Sequence, residues 1–172
     1  MPFPYYNRLN HEHKAIYRAS DRIAGIAIPS PERLCGAARD IDEALRLESR
    51  LELNLACQEL SDKLLEQLDV EPVTIKVLAA RPSRDWGELQ GLYESSDGVA
   101  NALVTVWMRT AQKKQVVAFK TFLRTLLHEL GHHLDYEYLE LAESFHTEGF
   151  FKRESSLFHQ IVGVGREGDE SP

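Results

Sequence analysis

Cysteine is nearly absent from this chain. Only Cys35 and Cys57 occur and no C-x-x-C spacing exists, so neither a zinc ribbon nor a disulfide framework can be built from them. Long apolar runs are missing too: nothing approaches the ~18 residues that a membrane-spanning helix needs. The opening Met1-Pro2-Phe3-Pro4-Tyr5-Tyr6 has neither the charged nor the apolar region of a signal peptide. The expectation is a cytoplasmic protein with no membrane partner. Positive charge is also in short supply. With 20 Lys+Arg against 27 Asp+Glu, the formal net charge is −7, which argues against general binding to nucleic acid or to anionic membranes.

What remains is 172 residues, 43% hydrophobic and 27% charged, enough for one domain with a real core. Apolar residues at Ile16, Ala19, Ile23 and Ala24 mark an amphipathic helix within 10–26, ended by Pro29 and Pro31. From Arg33 to Leu68 the chain favours one long or two consecutive helices, with Ile41, Leu45, Leu51, Leu55, Leu60, Leu64 and Leu68 as the buried stripe. After Pro72 the period changes: Val73, Ile75, Val77 and Ala79 alternate as in a strand. Leu89 to Glu94 and Ala102 to Met108 flank Ser95-Ser96-Asp97-Gly98 and read as a hairpin. Its second arm, just before the next helix, is the candidate edge strand on which an extended peptide could add, with an ordinary interior strand the equal alternative.

That next helix, opening at Val116, carries His128-Glu129-Leu130-Gly131-His132, an H-E-x-x-H motif. With 7 His and 18 Glu, a shuffled chain would contain the pattern by chance in roughly 3% of cases, so the helical context must carry the argument. At 100° per residue, Phe119, Phe122, Leu123, Leu126, Leu127, Leu130 and Leu134 face one way, while His128 and His132 project from the other side, ~6 Å apart along the axis. Two neutral imidazoles so placed can share one Zn²⁺, and Glu129 beside them suits a general base acting on a metal-activated water. Gly131, costly inside a helix, marks a place where another segment approaches closely.

A third ligand must come from elsewhere. Asp135 lies ~10 Å along the axis from His128 and is better read as an acceptor for a histidine N–H, or simply as a surface acid. His133 points away and reads as structural. The chain turns back through 137–149, which offers Glu143, His146 and Glu148, with Glu154 inside the last helical pattern, Phe150 to Val162. His146 is the choice, because two partner histidines already exist to recruit it; Glu154 or Glu143 is the alternative. Tyr136, Tyr138, Arg153 and His159 are candidates to help stabilise an oxyanion, with pairing to a neighbouring acid the alternative for Arg153. Cys35 invites one further idea, a thiolate capping the open metal position and keeping the enzyme latent; the plain alternative is a small buried residue.

The pairing of H-E-L-x-H-H-L-D with Phe145-His146-Thr147-Glu148-Gly149-Phe150-Phe151 resembles the SprT-like branch of zincin metallopeptidases, and small, largely uncharacterised bacterial proteins with the same two motifs. The resemblance covers roughly 103–162. It implies zinc held by His128, His132 and His146, with Glu129 as general base. The chain lacks the Cys-rich ribbon that ends many SprT-like proteins, and their DNA-linked substrates fit poorly with an acidic chain.

The expected fold is therefore α+β and zincin-like, a single domain over 1–162. It comprises a helical part (1–70), then a small, mainly antiparallel sheet with an edge strand beside the cleft, the motif helix and a C-terminal helix (72–162). The Gly-rich, acidic tail 163–172 is expected to be disordered. The expected function is zinc-dependent hydrolysis of an extended peptide or protein substrate; the alternative is a non-catalytic metal-binding regulatory or interaction protein on the same scaffold.

Overall fold

The computed structural model describes residues 1–84 and 87–167. Five helices, α1 (His11–Asp21), α2 (Cys35–Arg46), α3 (Arg50–Gln67), α4 (Phe119–Glu137) and α5 (Glu148–Glu167), pack with five strands, β1 (Val73–Ala80), β2 (Ser83–Arg84), β3 (Gly87–Glu88), β4 (Gly91–Glu94) and β5 (Ala102–Arg109). The class is α+β. Among the described residues no helix is long and apolar enough to cross a membrane.

Local chemistry explains where the N-terminal helices begin and end. Asn10 caps α1 by accepting the His13 N–H at 2.8 Å, and Ser49 caps α3 through the Glu52 N–H at 3.2 Å. Two helices, not one, fill the Arg33–Leu68 stretch, because Glu48 turns with φ 54° between them. α1 stops at Asp21, eight residues short of Pro29. The reason lies in α5: the Arg153 guanidinium takes the carbonyls of Ser20 and Ile23 at 2.6 and 2.7 Å, and the freed chain runs on to bury Ile26 and Ile28.

α3 departs from the expected stripe. Leu53, Ala56, Cys57, Leu60 and Leu64 form its buried face, whereas Leu51 and Leu55, about 200° round from Leu53, are 69% and 58% exposed. Leucine lies on both sides of this helix, so periodicity alone cannot choose the inner one.

The main sheet has the order β1-β5-β4; β5 pairs in parallel with β1 (Val73 opposite Ala102) and antiparallel with β4 (Gly91 opposite Val106). The sheet is thus mixed, not mainly antiparallel, and β5 is its buried centre rather than its edge. β4 is the strand that borders the cleft. The far edge, along β1, is sealed by α3: Gln58 accepts from Ile75 N and donates to Val73 O, and Asn54 accepts from Val77 N and donates to Ile75 O. Side-chain amides there do the work of a neighbouring strand. The outer rim of β4 has no backbone partner among the described residues.

α4 lays its Phe122, Leu123, Leu126, Leu127, Leu130 and Leu134 into the core, as the apolar period requires. α5 runs back along α4 and continues to Glu167, five residues past the expected end at Val162. The tail expected from residue 163 thus begins inside this helix, and residues 168–172 lie outside the described residues.

Candidate metal centre

His128 and His132 leave α4 on one face and meet His146 from the α4–α5 connection. Each offers one nitrogen, and the three nitrogens lie within 4.8 Å of one another. The Nε2 of His146 is 3.1 Å from the Nε2 of His128 and 3.1 Å from that of His132. Tetrahedral ligands at ~2.05 Å from a zinc ion would be about 3.3 Å apart. Phe150 lies against all three rings at 4.8 to 5.3 Å between centroids. It also meets Gly131, where an added Cβ would come 3.2 Å from its ring. Phe150 is the close approach that this glycine implied.

The outer nitrogens fix the tautomers. His128 Nδ1–H donates to Glu154 Oε1 at 2.8 Å. The Ser144 hydroxyl donates to Asp135 Oδ2 at 2.7 Å, so its oxygen is left to accept His132 Nδ1–H, also at 2.7 Å. Both imidazoles then carry their proton outside and turn a lone pair inward. A proton on His146 Nε2 could satisfy one of those lone pairs but not both, whereas a cation satisfies all three; the donor set fits a divalent metal ion. Burial, with His128 and His146 close by, depresses His132 to about 3, and burial followed by the charge of His128 lowers His146. Neutral imidazole is the form that ligates.

Glu129 stands beside this triad and is 7% exposed. Burial raises its carboxyl to about 7, with His128 pulling it down and Glu154 pushing it up. Its space comes from Gly91 at the start of β4, where a Cβ would lie 2.8 Å from Glu129 Oε1 and 2.9 Å from its Cγ. A cleft of about 420 Å³ opens here, lined by Gln90, Gly91, Thr125, His128, Glu129 and Glu154. It adjoins a second recess where Tyr93 and Tyr136 border Glu129 and His132.

The other candidates fall into place around the cluster. Glu154, the alternative ligand, is instead the hydrogen-bond partner of His128. Glu143 and Glu148 stay outside it; Glu148 pairs with Lys152 at 3.3 Å. Asp135 reaches His132 through one hydroxyl rather than directly. Arg153 cannot serve an oxyanion. It is 3% exposed and held by Asp135 at 3.0 Å, by Ser20 Oγ and by the end of α1. Burial pushes Asp135 upward and Arg153 and Ser144 draw it back. His133 is structural as expected: Nε2–H donates to Glu71 O and Nδ1 accepts from the Tyr93 hydroxyl at 2.9 Å. Tyr138 and His159 are exposed, with His159 edge-on to Phe158. Cys35 lies in a separate groove, its Sγ toward Pro31 O and Ile161 O, and does not cap the site.

Gly91 and Ser144 carry no motif and were not singled out in the sequence. The spacing of Ser144, two residues before His146, was the only available sign. The connection itself is clamped from below. Tyr5 Oη donates to His146 O at 2.7 Å, Thr147 caps α5 through Phe150 N at 2.8 Å, and Gly149 packs on the end of α1, its N–H reaching Asp21 Oδ1 at 3.0 Å. No protein-family model matches the chain, and no curated protein or solved structure is significantly similar to it.

Proposed function

We propose that this protein is a zinc-dependent metallopeptidase of the H-E-x-x-H type, with His128, His132 and His146 as ligands and Glu129 as general base. The observation that carries the reading is the buried Glu129 carboxylate, set beside three convergent imidazoles in an open cleft. A static metal site needs the imidazoles; it has no use for an uncoordinated acid kept next to them. Zinc, when bound, supplies Lewis acidity and a water of lowered pKa. Glu129 is placed to accept a proton from a water in the cleft and to return it to the leaving amine. Tyr136, whose phenol is raised by burial and by Glu143, keeps its proton and donates to the oxyanion from the recess it shares with Glu129. Glu154 and the Ser144–Asp135 pair hold the histidines in their ligating tautomers. The unpaired rim of β4 takes the substrate as an added extended strand, which presents a peptide carbonyl to the triad.

The test compares wild type with Glu129→Gln on a denatured protein library, with zinc content measured in both. Cleavage by wild type alone, at equal zinc, is expected. Equal zinc with no Glu129-dependent cleavage would leave the chain a static metal-binding protein.

A further inference from the structure

Arg124 sits on α4 one turn before His128 and lines the same cleft. Its guanidinium lies 4.0 Å over the Phe158 ring. Among the arginines whose side chains are described, it is the one out of full exposure with neither a hydrogen bond nor an ion pair. Arg81, Arg109 and Arg153, the others in that position, each hold a carboxylate. In a chain with 27 acidic residues, a half-buried cation without a counter-ion stands out. Packing over Phe158 holds the guanidinium at the cleft wall, where its N–H donors have no hydrogen-bond partner among the described residues. Of the acids that line the cleft with it, Glu154 is already engaged by His128.

We infer that Arg124 forms a subsite for a carboxylate on the substrate. This rests on the peptidase reading and extends it to substrate class. One helical turn is ~5.4 Å, and an extended peptide advances ~3.3 Å per residue, so the carboxylate belongs one or two residues from the scissile bond. Two sources share that chemistry: the C-terminus of a short substrate tail, and an Asp or Glu side chain. Long-range steering does not help, since the net charge of −7 repels acidic peptides. Selection is local, through a bidentate pair.

The experiment uses zinc-loaded Glu129→Gln protein, so that probes are bound and not consumed. Affinity is measured by calorimetry for two matched pairs: an acetylated trialanine with free or amidated C-terminus, and an acetylated, amidated tetrapeptide with Glu or Gln at its third position. One carboxylate member is expected to bind about tenfold tighter than its neutral twin. The pair that discriminates names the source. Arg124→Met, which keeps the packing on Phe158, abolishes the difference, and Arg124→Lys restores part of it. Equal affinity within both pairs, discrimination that survives in Arg124→Met, or no binding by any probe overturns the subsite. Discrimination without Glu129-dependent cleavage by the native protein would sink the peptidase reading alone. Cleavage without discrimination would sink the subsite alone.

Discussion

Glu154 Oε1 lies 2.8 Å from Nδ1 of His128, on the far side of the ring from the nitrogen that faces His146. A carboxylate in that place orients a ligand rather than being one. Glu154→Ala should therefore weaken zinc binding by about 10- to 100-fold while keeping a one-to-one stoichiometry. His146→Ala, which deletes the proposed third ligand, should lose more. Chelator competition on both variants checks the order, and a larger loss in Glu154→Ala would make Glu154 the third ligand.

Gly91 and Glu129 are in contact across the cleft, and the fit has no room for a methyl group. Gly91→Ala should displace the carboxylate and leave the triad intact. Zinc affinity should stay near wild type while cleavage falls by roughly 100-fold, the usual weight of a positioned general base. Paired zinc titration and peptide hydrolysis read the two separately. Loss of zinc together with activity would mean that Gly91 serves the fold.

Gly149 has a different neighbour. A Cβ there would meet the backbone carbonyls of Ser20 and Asp21 at 2.5 and 2.6 Å, and backbone yields less readily than a side chain tip. Gly149→Ala should cost about 2 kcal/mol or more, seen as a Tm lowered by several degrees in a thermal melt. An unchanged Tm would show that α1 can shift freely against α5.

The motif helix was legible because its two faces carry different residue types: leucine and phenylalanine toward the core, histidine and threonine away from it. His146 was legible as a partner for two histidines already in place. Other features are set by contacts distant in sequence. β5 pairs with β1 across nearly thirty residues, and amides of Asn54 and Gln58 close the β1 edge; no local pattern announces either, so the sequence leaves β5 open between edge and interior strand. Leu51 and Leu55 share their spacing with truly buried leucines. Arg153 sits in sequence where an active-site cation would, yet its partners are Asp135 and the end of α1, which only the packed helices bring together.

That buried pair gives the next prediction. Arg153 and Asp135 are 3% and 1% exposed at their side chains, and removing one charge strands the other. Asp135→Asn should destabilise the protein by about 3 kcal/mol and loosen Ser144 from His132, so zinc affinity should fall as well. Urea unfolding and chelator competition measure the two effects. A stability loss with unchanged zinc affinity would disconnect Asp135 from the site.

On folding without metal, the Glu129 carboxyl moves from an ordinary 4.5 to about 7. Between those values the folded chain holds a proton that the unfolded chain has released, so stability falls as pH rises across the window and is flat above it. His132, His133 and His146 shift the other way and lose stability as pH drops below their unfolded values. Those groups are common to wild type and Glu129→Gln, so the difference between the two proteins isolates Glu129. In chelator-treated protein, Glu129→Gln should gain on wild type by on the order of 2 to 3 kcal/mol between pH 4.5 and pH 7.5. Urea midpoints at pH 4.5, 6 and 7.5 measure it. With zinc added the gain should shrink, because a cation beside the carboxylate favours its ionised form and lowers its pKa. A difference independent of pH would mean that Glu129 titrates as an ordinary exposed acid, and one of opposite sign that folding lowers its pKa.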